Sequence, residues 1–163
     1  MLALGVDPGT AICGYGLVRE ERSTLIPIKF GVIRTDSKMD TEKRLLVIYR
    51  EIEALIKEYQ PDLIGVEELF FSKNVKTAIT VCQARGVILL AAAQNNLELK
   101  EFNPLTVKQS VVGYGKAEKE QVILMTQRLL NLPEKPHPDD AADALAIAIC
   151  TIHHKNSRLG KYY

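Results

Sequence analysis

The sequence predicts an α/β fold, a mixed five-stranded sheet with helices on both faces. Three observations carry this. Short apolar stretches with strand character recur, and two of them, "LALGVD" (2–7) and "DLIGVE" (62–67), end on a carboxylate. The first three strand candidates follow one another through short connections, which suits antiparallel pairing. The later ones are separated by helical segments long enough for parallel crossovers.

Each element has its own signal. Residues 2–7 alternate small and large apolar side chains and stop at Asp7 before Pro-Gly, a strand followed by a turn. "CGYGLVR" (13–19) follows as a hairpin partner. "TLIPIKFGVIR" (24–34) is the third strand, with Pro27 marking a sheet edge or a bulge. From Thr41 to Tyr59 the pattern turns helical, with Leu45, Ile48, Ile52 and Leu55 spaced for one face and Thr41 or Asp40 available as cap. Residues 62–67 form the fourth strand, 75–95 contain the second helix with Gly86 as a soft spot, and "LELKEF" (97–102) is the fifth strand. A third helix is expected over Lys116–Leu130 and a fourth over Asp140–His153. No repeat or low-complexity segment interrupts this order.

The chain has 163 residues, 47% hydrophobic and 25% charged, which suits one domain able to bury a full core. The expected division is a catalytic-size domain over 1–155 and a basic tail over 156–163 that its composition allows to be frayed. Cys13, Cys82 and Cys150 are widely spaced, with no C-x-x-C pair, so neither a zinc ribbon nor a disulfide framework is expected. This fits a reducing cytoplasm. The N-terminus lacks the features of a signal peptide, and the longest stretch without polar side chains, "GVILLAAA" (86–93), is too short to span a bilayer. No membrane association is expected. Lys and Arg number 21 against 20 Asp and Glu, which argues against a general polyanion binder. The charge is uneven, however. Residues 73–85 carry Lys73, Lys76 and Arg85 and no acid, and 151–163 are likewise free of acid, so one face can be basic.

The carboxylates are the chemical signal. Asp7 and Glu67 each close a strand, and ligands of open α/β sheets sit beyond the carboxyl ends of strands. Glu68 competes with Glu67, but strand alternation lets only one face the site, and Glu67 lies closer to the strand. Asp140 and Asp143 are three apart at a helix start and so share a face. Asp139 is the better candidate for the cap of that helix. Capping does not explain Asp143, which stands inside the apolar run "AADALAIAI". If the helix crosses the sheet edge, four carboxylates converge and repel one another unless a cation neutralises them. Oxygen donors of this kind select Mg2+ or Mn2+. Two such ions about 3.5–4 Å apart suit in-line phosphodiester displacement. A rival lies in "DPGTAICGYG" (7–16), which is similar to the phosphate loop of actin-like ATPases. That reading needs a second such domain, for which the chain is too short. A purely binding module is a further rival, but it would leave four like charges together without a use.

Five segments, "GVDPGTAICGYG", "IGVEELFFSKN", "QARGVILLAAA", "VKQSVVGYGKAEKEQV" and "DDAADALAIAI", in this order, closely resemble the RuvC family of Holliday-junction resolvases. That family belongs to the ribonuclease-H-like superfamily, and the segments extend over nearly the whole chain. The resemblance implies that Asp7, Glu67, Asp140 and Asp143 bind two Mg2+ ions, with Mn2+ as a substitute. It maps the family's two important lysines to Lys119, at the scissile phosphate, and Lys108, on the DNA backbone. Some relatives carry His where this chain has Asp140, and His137 stands three residues earlier, a candidate for a supporting role. Phe70 aligns with the family's base-stacking position beside Lys73, with Phe71 as the core partner. Lys76 belongs to the same basic stretch. Arg85 is left between DNA backbone and a helix C-terminus, and Gly113 and Gly115 bracket Tyr114 in a loop able to approach phosphate. The implied activity is symmetric hydrolysis of two strands of a four-way junction by a homodimer in recombination and repair, with the branch-migration proteins RuvA and RuvB as partners. The apolar second helix is richer than one sheet face requires, which agrees with a dimer contact. The alternative is a related nuclease of the YqgF type acting on RNA.

Overall fold

Alternation along the strands decides which side chains meet which layer of helices. The structure is a computed structural model, and it describes residues 1–68 and 75–157, without the side chains of 75–77. In chain order the elements are β1 (Leu2–Asp7), β2 (Ile12–Glu21), β3 (Thr24–Arg34), α1 (Thr41–Tyr59), β4 (Leu63–Glu67), α2 (Val75–Gln94), β5 (Glu98–Phe102), α3 (Pro104–Val112), α4 (Lys119–Leu129) and α5 (Asp139–Asn156). The sheet order is β3-β2-β1-β4-β5. β1 pairs antiparallel with β2, and β2 with β3, while β1–β4 and β4–β5 are parallel. This is the mixed sheet the connection lengths predict.

Pro27 serves both readings offered for it. It lies on edge strand β3, where the register against β2 shifts between Leu17 and Val18. Leu2, Leu4 and Val6 of β1, with Ile64 and Val66 of β4, pack toward α1 and α2. The alternate residues Ala3 and Leu63 pack with α3, α4 and α5. Helices therefore cover both faces.

α5 is buried almost all round, from Ala141 to Ile152 with Asp143 the exception, because it lies between the sheet and a cover of α3 and α4. A helix apolar on every side is the form that position requires. Its contact with the sheet is unusually close. A Cβ on Gly5 would stand 2.1 Å from the Ala144 carbonyl oxygen, and one on Gly16 would stand 2.9 Å from the Leu145 nitrogen.

Three helix starts differ from the sequence reading. α3 was not anticipated, because nine residues show too little periodicity; its signal was Asn103, whose side chain accepts from the Thr106 N–H at 2.8 Å, followed by Pro104. α4 starts at Lys119 rather than Lys116, where the Gln121 side chain accepts the Glu118 N–H at 2.8 Å. α5 begins at Asp139 with Pro138 as its N-cap, so Asp139 is not the cap. At α1 the N-cap is Asp40, but its carboxylate meets Lys43 rather than the helix backbone. The three cysteines are free thiols, Cys13 and Cys150 buried and Cys82 exposed. Among the described residues no helix is long and apolar enough to cross a membrane. The expected tail lies mostly outside the described residues.

Candidate active site

Asp7 follows Ala3 and Gly5 on the face of β1 that meets α5, and Glu67 follows Leu63 and Gly65 on the same face of β4. The pairing of Val6 with Val66 makes Asp7 and Glu67 the next residues along two adjacent parallel strands. This alternation is the physical reason Glu67, rather than Glu68, belongs to the cluster. Across β2, Asp7 pairs with Gly14. A Cβ on Gly14 would fall 2.0 Å from the carbonyl oxygen of Asp140. The first turn of α5 therefore rests directly on that rung, and it brings Asp140 and Asp143 to the strand ends.

The electrostatics follow from this convergence. Burial pushes the Asp7 carboxyl up to about 8, and the charges of Glu67, Asp143 and Asp140 add to it while Lys119 opposes. Burial and then the charge of Asp143 raise Glu67 to about 7, against Lys119 and Lys108. Asp143 is also raised by burial, although Lys119 pulls the other way. Lys119, the first residue of α4, donates to Asp143 Oδ2 at 3.0 Å and stands 3.4 Å from Asp139 Oδ2. Burial works against its charge, but Asp143 and Asp139 together push its pKa up. Glu67, Lys108, Lys119 and Asp143 share the wall of a cleft of about 200 Å³ with Pro104, Val107 and Val122.

The fit to a metal has two sides. Among the described residues, no three acidic, His or Cys side chains are arranged to hold a metal ion as they stand. The donor chemistry nevertheless suits a hard divalent cation. The donors are all oxygen, and three of them are held above the ordinary carboxylate range by burial and mutual charge. A cation among them relieves both costs, a task Lys119 performs in part through its bond to Asp143.

The other sequence candidates fall in three groups. Lys108 joins the cleft. His137 lines a separate groove with Phe30, Leu132 and Lys135. Phe70, Phe71 and Lys73 lie outside the described residues, as does the side chain of Lys76. Tyr114 is 58% exposed at the turn after α3.

Arg85 of α2 makes two contacts within the protein. Its Nε donates to the main-chain oxygen of Glu67 at 3.3 Å, and its guanidinium pairs with Glu101 of β5. Sequence reasoning missed this tether, and also the bond from Thr10 Oγ1 to the carbonyl of Thr80, 2.6 Å. Both acceptors are main-chain atoms far away in sequence, so no residue pattern announces them. The glycines under α5, Gly5, Gly14, Gly16 and Gly65, were also missed; their signal was glycine inside strand patterns, which marks a close backbone approach.

Comparison with known proteins agrees with this fold. Residues 3–151 match the family model described as crossover junction endodeoxyribonuclease RuvC. A RuvC of Desulfitobacterium hafniense is 55% identical over 162 residues, covering 98% of both chains. The solved structure of Thermus thermophilus RuvC superposes with a TM-score of 0.89 at 31% identity, over 98% of this chain and 97% of that one. A second structure, T. thermophilus RuvC in complex with Holliday junction substrate, gives 0.88 at 29% identity over 95% of each. With a matching family model over most of its length and near-complete relatives at this identity, the chain belongs to the RuvC family of crossover junction endodeoxyribonucleases.

Proposed function

We propose that this chain resolves four-way (Holliday) DNA junctions by hydrolysing phosphodiester bonds at the Asp7–Glu67–Asp140–Asp143 cluster. The observation that carries the site assignment is the convergence of adjacent strand ends and the first turn of α5, where burial first, and then neighbouring carboxylate charge, holds Asp7 near 8 and Glu67 near 7. The RNA-directed alternative is set aside, because the matching family is one of endodeoxyribonucleases.

Asp7, Glu67, Asp140 and Asp143 would hold two Mg2+ ions, or Mn2+. When bound, these supply activation of the attacking water and neutralise charge on the leaving oxygen. The chain's own groups do the rest. Lys119 exchanges its carboxylate partners for the scissile phosphate and offsets charge that develops there. Lys108, on the same cleft wall, anchors the neighbouring backbone phosphate. The buried floor holds the four donors at fixed positions, since α5 cannot shift without meeting the sheet. Phe70 and Lys73, with Lys76, are assigned to the unpaired bases and phosphates of the junction centre. The products are 5′-phosphate and 3′-hydroxyl ends. The acting form is a homodimer in the cytoplasm, working with RuvA and RuvB.

The test is a synthetic four-way junction incubated with Mg2+, with Mn2+ and with EDTA. Linear duplex and an RNA–DNA hybrid serve as competitors. Symmetric cutting of the junction alone, with metal only, supports the reading. Cutting of the hybrid in preference would overturn the substrate, and junction binding without cutting in either metal would overturn the catalytic assignment.

A further inference from the structure

The mechanism leaves Arg85 without a role, although its side chain is only 20% exposed and meets the Glu67 main chain. Its helix also meets the other catalytic strand end. Thr10, three residues beyond Asp7 and 7% exposed, donates from Oγ1 to the Thr80 carbonyl, which stands before Arg85 on the same helix α2. The Thr10 carbonyl in turn accepts from Thr35 Oγ1 at 2.6 Å, and Thr35 Oγ1 accepts from Arg44 Nε at 2.8 Å. Thus one helix holds the main chain just past Asp7 and the main chain of Glu67 itself, and none of these contacts involves a catalytic carboxylate oxygen.

We propose that Arg85 and Thr10 are positioning residues: through them α2 braces the ends of β1 and β4 and sets where Asp7 and Glu67 stand relative to α5. The inference rests on the cluster being the catalytic site. It differs from both sequence readings of Arg85, a DNA-backbone contact and a helix C-terminus. The Glu101 carboxylate neutralises its charge, and its Nε is spent on the Glu67 carbonyl. A phosphate ligand needs a free cation, whereas a brace needs a fork with two fixed acceptors, which Arg supplies and Lys does not.

Arg85→Lys keeps the charge opposite Glu101 and loses the forked geometry. Thr10→Val loses the hydroxyl, and Thr10→Ser restores it. Two quantities separate the roles: junction affinity in EDTA across a salt series, and the single-turnover cutting rate with Mg2+ at saturating junction. The brace predicts affinity within twofold of the parent with an unchanged salt slope. It predicts cutting slowed about 10²-fold in Arg85→Lys, the usual cost of a misplaced catalytic group. Thr10→Val should be slowed and Thr10→Ser should return to the parent rate. A phosphate contact predicts the reverse for Arg85: Arg85→Ala loses affinity and lowers the salt slope by about one, and Arg85→Lys recovers both. That result, or an unchanged cutting rate, would overturn the proposal. A readout without catalysis stands beside these. The Glu68 N–H, which donates to the Phe102 carbonyl at 2.8 Å, should exchange faster in Arg85→Lys. If the parent chain cuts no junction, the activity reading fails, and this exchange rate still decides the brace; protection equal to the parent would sink it.

Discussion

Asp7 is held in a place where a carboxylate resists ionisation, and this dictates how the metal-free chain responds to pH. Its folded pKa of about 8 stands above the ordinary 3.8, and that of Glu67, about 7, above 4.5. Between those limits the native state binds more protons than the unfolded chain. Stability is therefore fullest below about pH 4 as far as these groups are concerned, and falls as pH rises through 7 and 8. In EDTA, Tm should decline between pH 5 and pH 8.5. Asp7→Asn should flatten that decline and raise Tm at pH 8.5 by roughly 5 °C. Mg2+ should raise the parent's Tm at pH 8.5 and do far less for Asp7→Asn; scanning calorimetry across the pH series checks all three. A second outcome belongs to the same residues. Asp7→Asn and Glu67→Gln should bind the junction with near-parent affinity yet cut it at least about 10³-fold more slowly, by gel shift and single-turnover assay. At this scale the carboxylates were legible, because strand ends and an acid inside an apolar run are visible in one dimension. The ion pairs of Lys119 with Asp143 and Asp139 were not, since they depend on how α4 and α5 meet.

Between elements, the decisive contact is that of α5 with the glycines beneath it. Gly14 pairs with Asp7 in the sheet and lies under Asp140, so one residue reports on both halves of the site. Adding a methyl there places a carbon 2.0 Å from a backbone oxygen that no rotamer change can move. The first turn of α5 must lift, at a cost of roughly 3 kcal/mol, and it carries Asp140 and Asp143 with it. Gly14→Ala should therefore lose cutting about 10²-fold or more while every carboxylate and lysine remains in the chain. The same substitution at Gly86, whose Cβ meets no atom of the described residues within 4 Å, should leave the monomer fold unchanged and raise stability by about 0.5–1 kcal/mol, because it replaces a glycine inside α2. Urea denaturation of the two variants gives the comparison. Strand and helix existence followed from periodicity, and the choice of Glu67 over Glu68 followed from period-two alternation. α3 escaped because a nine-residue helix is defined more by its Asn103 cap and Pro104 than by any repeating face.

Over the whole molecule, the sheet order could be reasoned from connection lengths, but the outward surface could not, since a sequence does not say which apolar residues stay uncovered. The structure leaves Ile79 and Leu90 of α2 about half exposed, 53% and 51%, with exposed Cys82 and Gly86 between them. These positions fall at i, i+3, i+7 and i+11, one stripe along the helix, with small residues in the middle where a second helix could come close. The stripe lies on the far side of α2 from the buried Ala84, Ile88 and Ala91. If the chain acts as the homodimer proposed above, this stripe is the surface that would form the contact, with two α2 helices related by a two-fold axis. A charge in the stripe tests this at the level of the assembly. On that proposal the parent should sediment as a dimer and Leu90→Asp as a monomer at the same concentration, with its helical content unchanged by circular dichroism. The functional consequence is specific. On a supercoiled plasmid bearing an extruded cruciform, a dimer that cuts both strands in one encounter yields linear product. A monomer cuts once, the cruciform is lost as supercoiling relaxes, and nicked circle accumulates. Leu90→Asp should thus shift the product from linear to nicked while the first incision proceeds. Linear product from a demonstrated monomer would show that paired cutting does not depend on this surface.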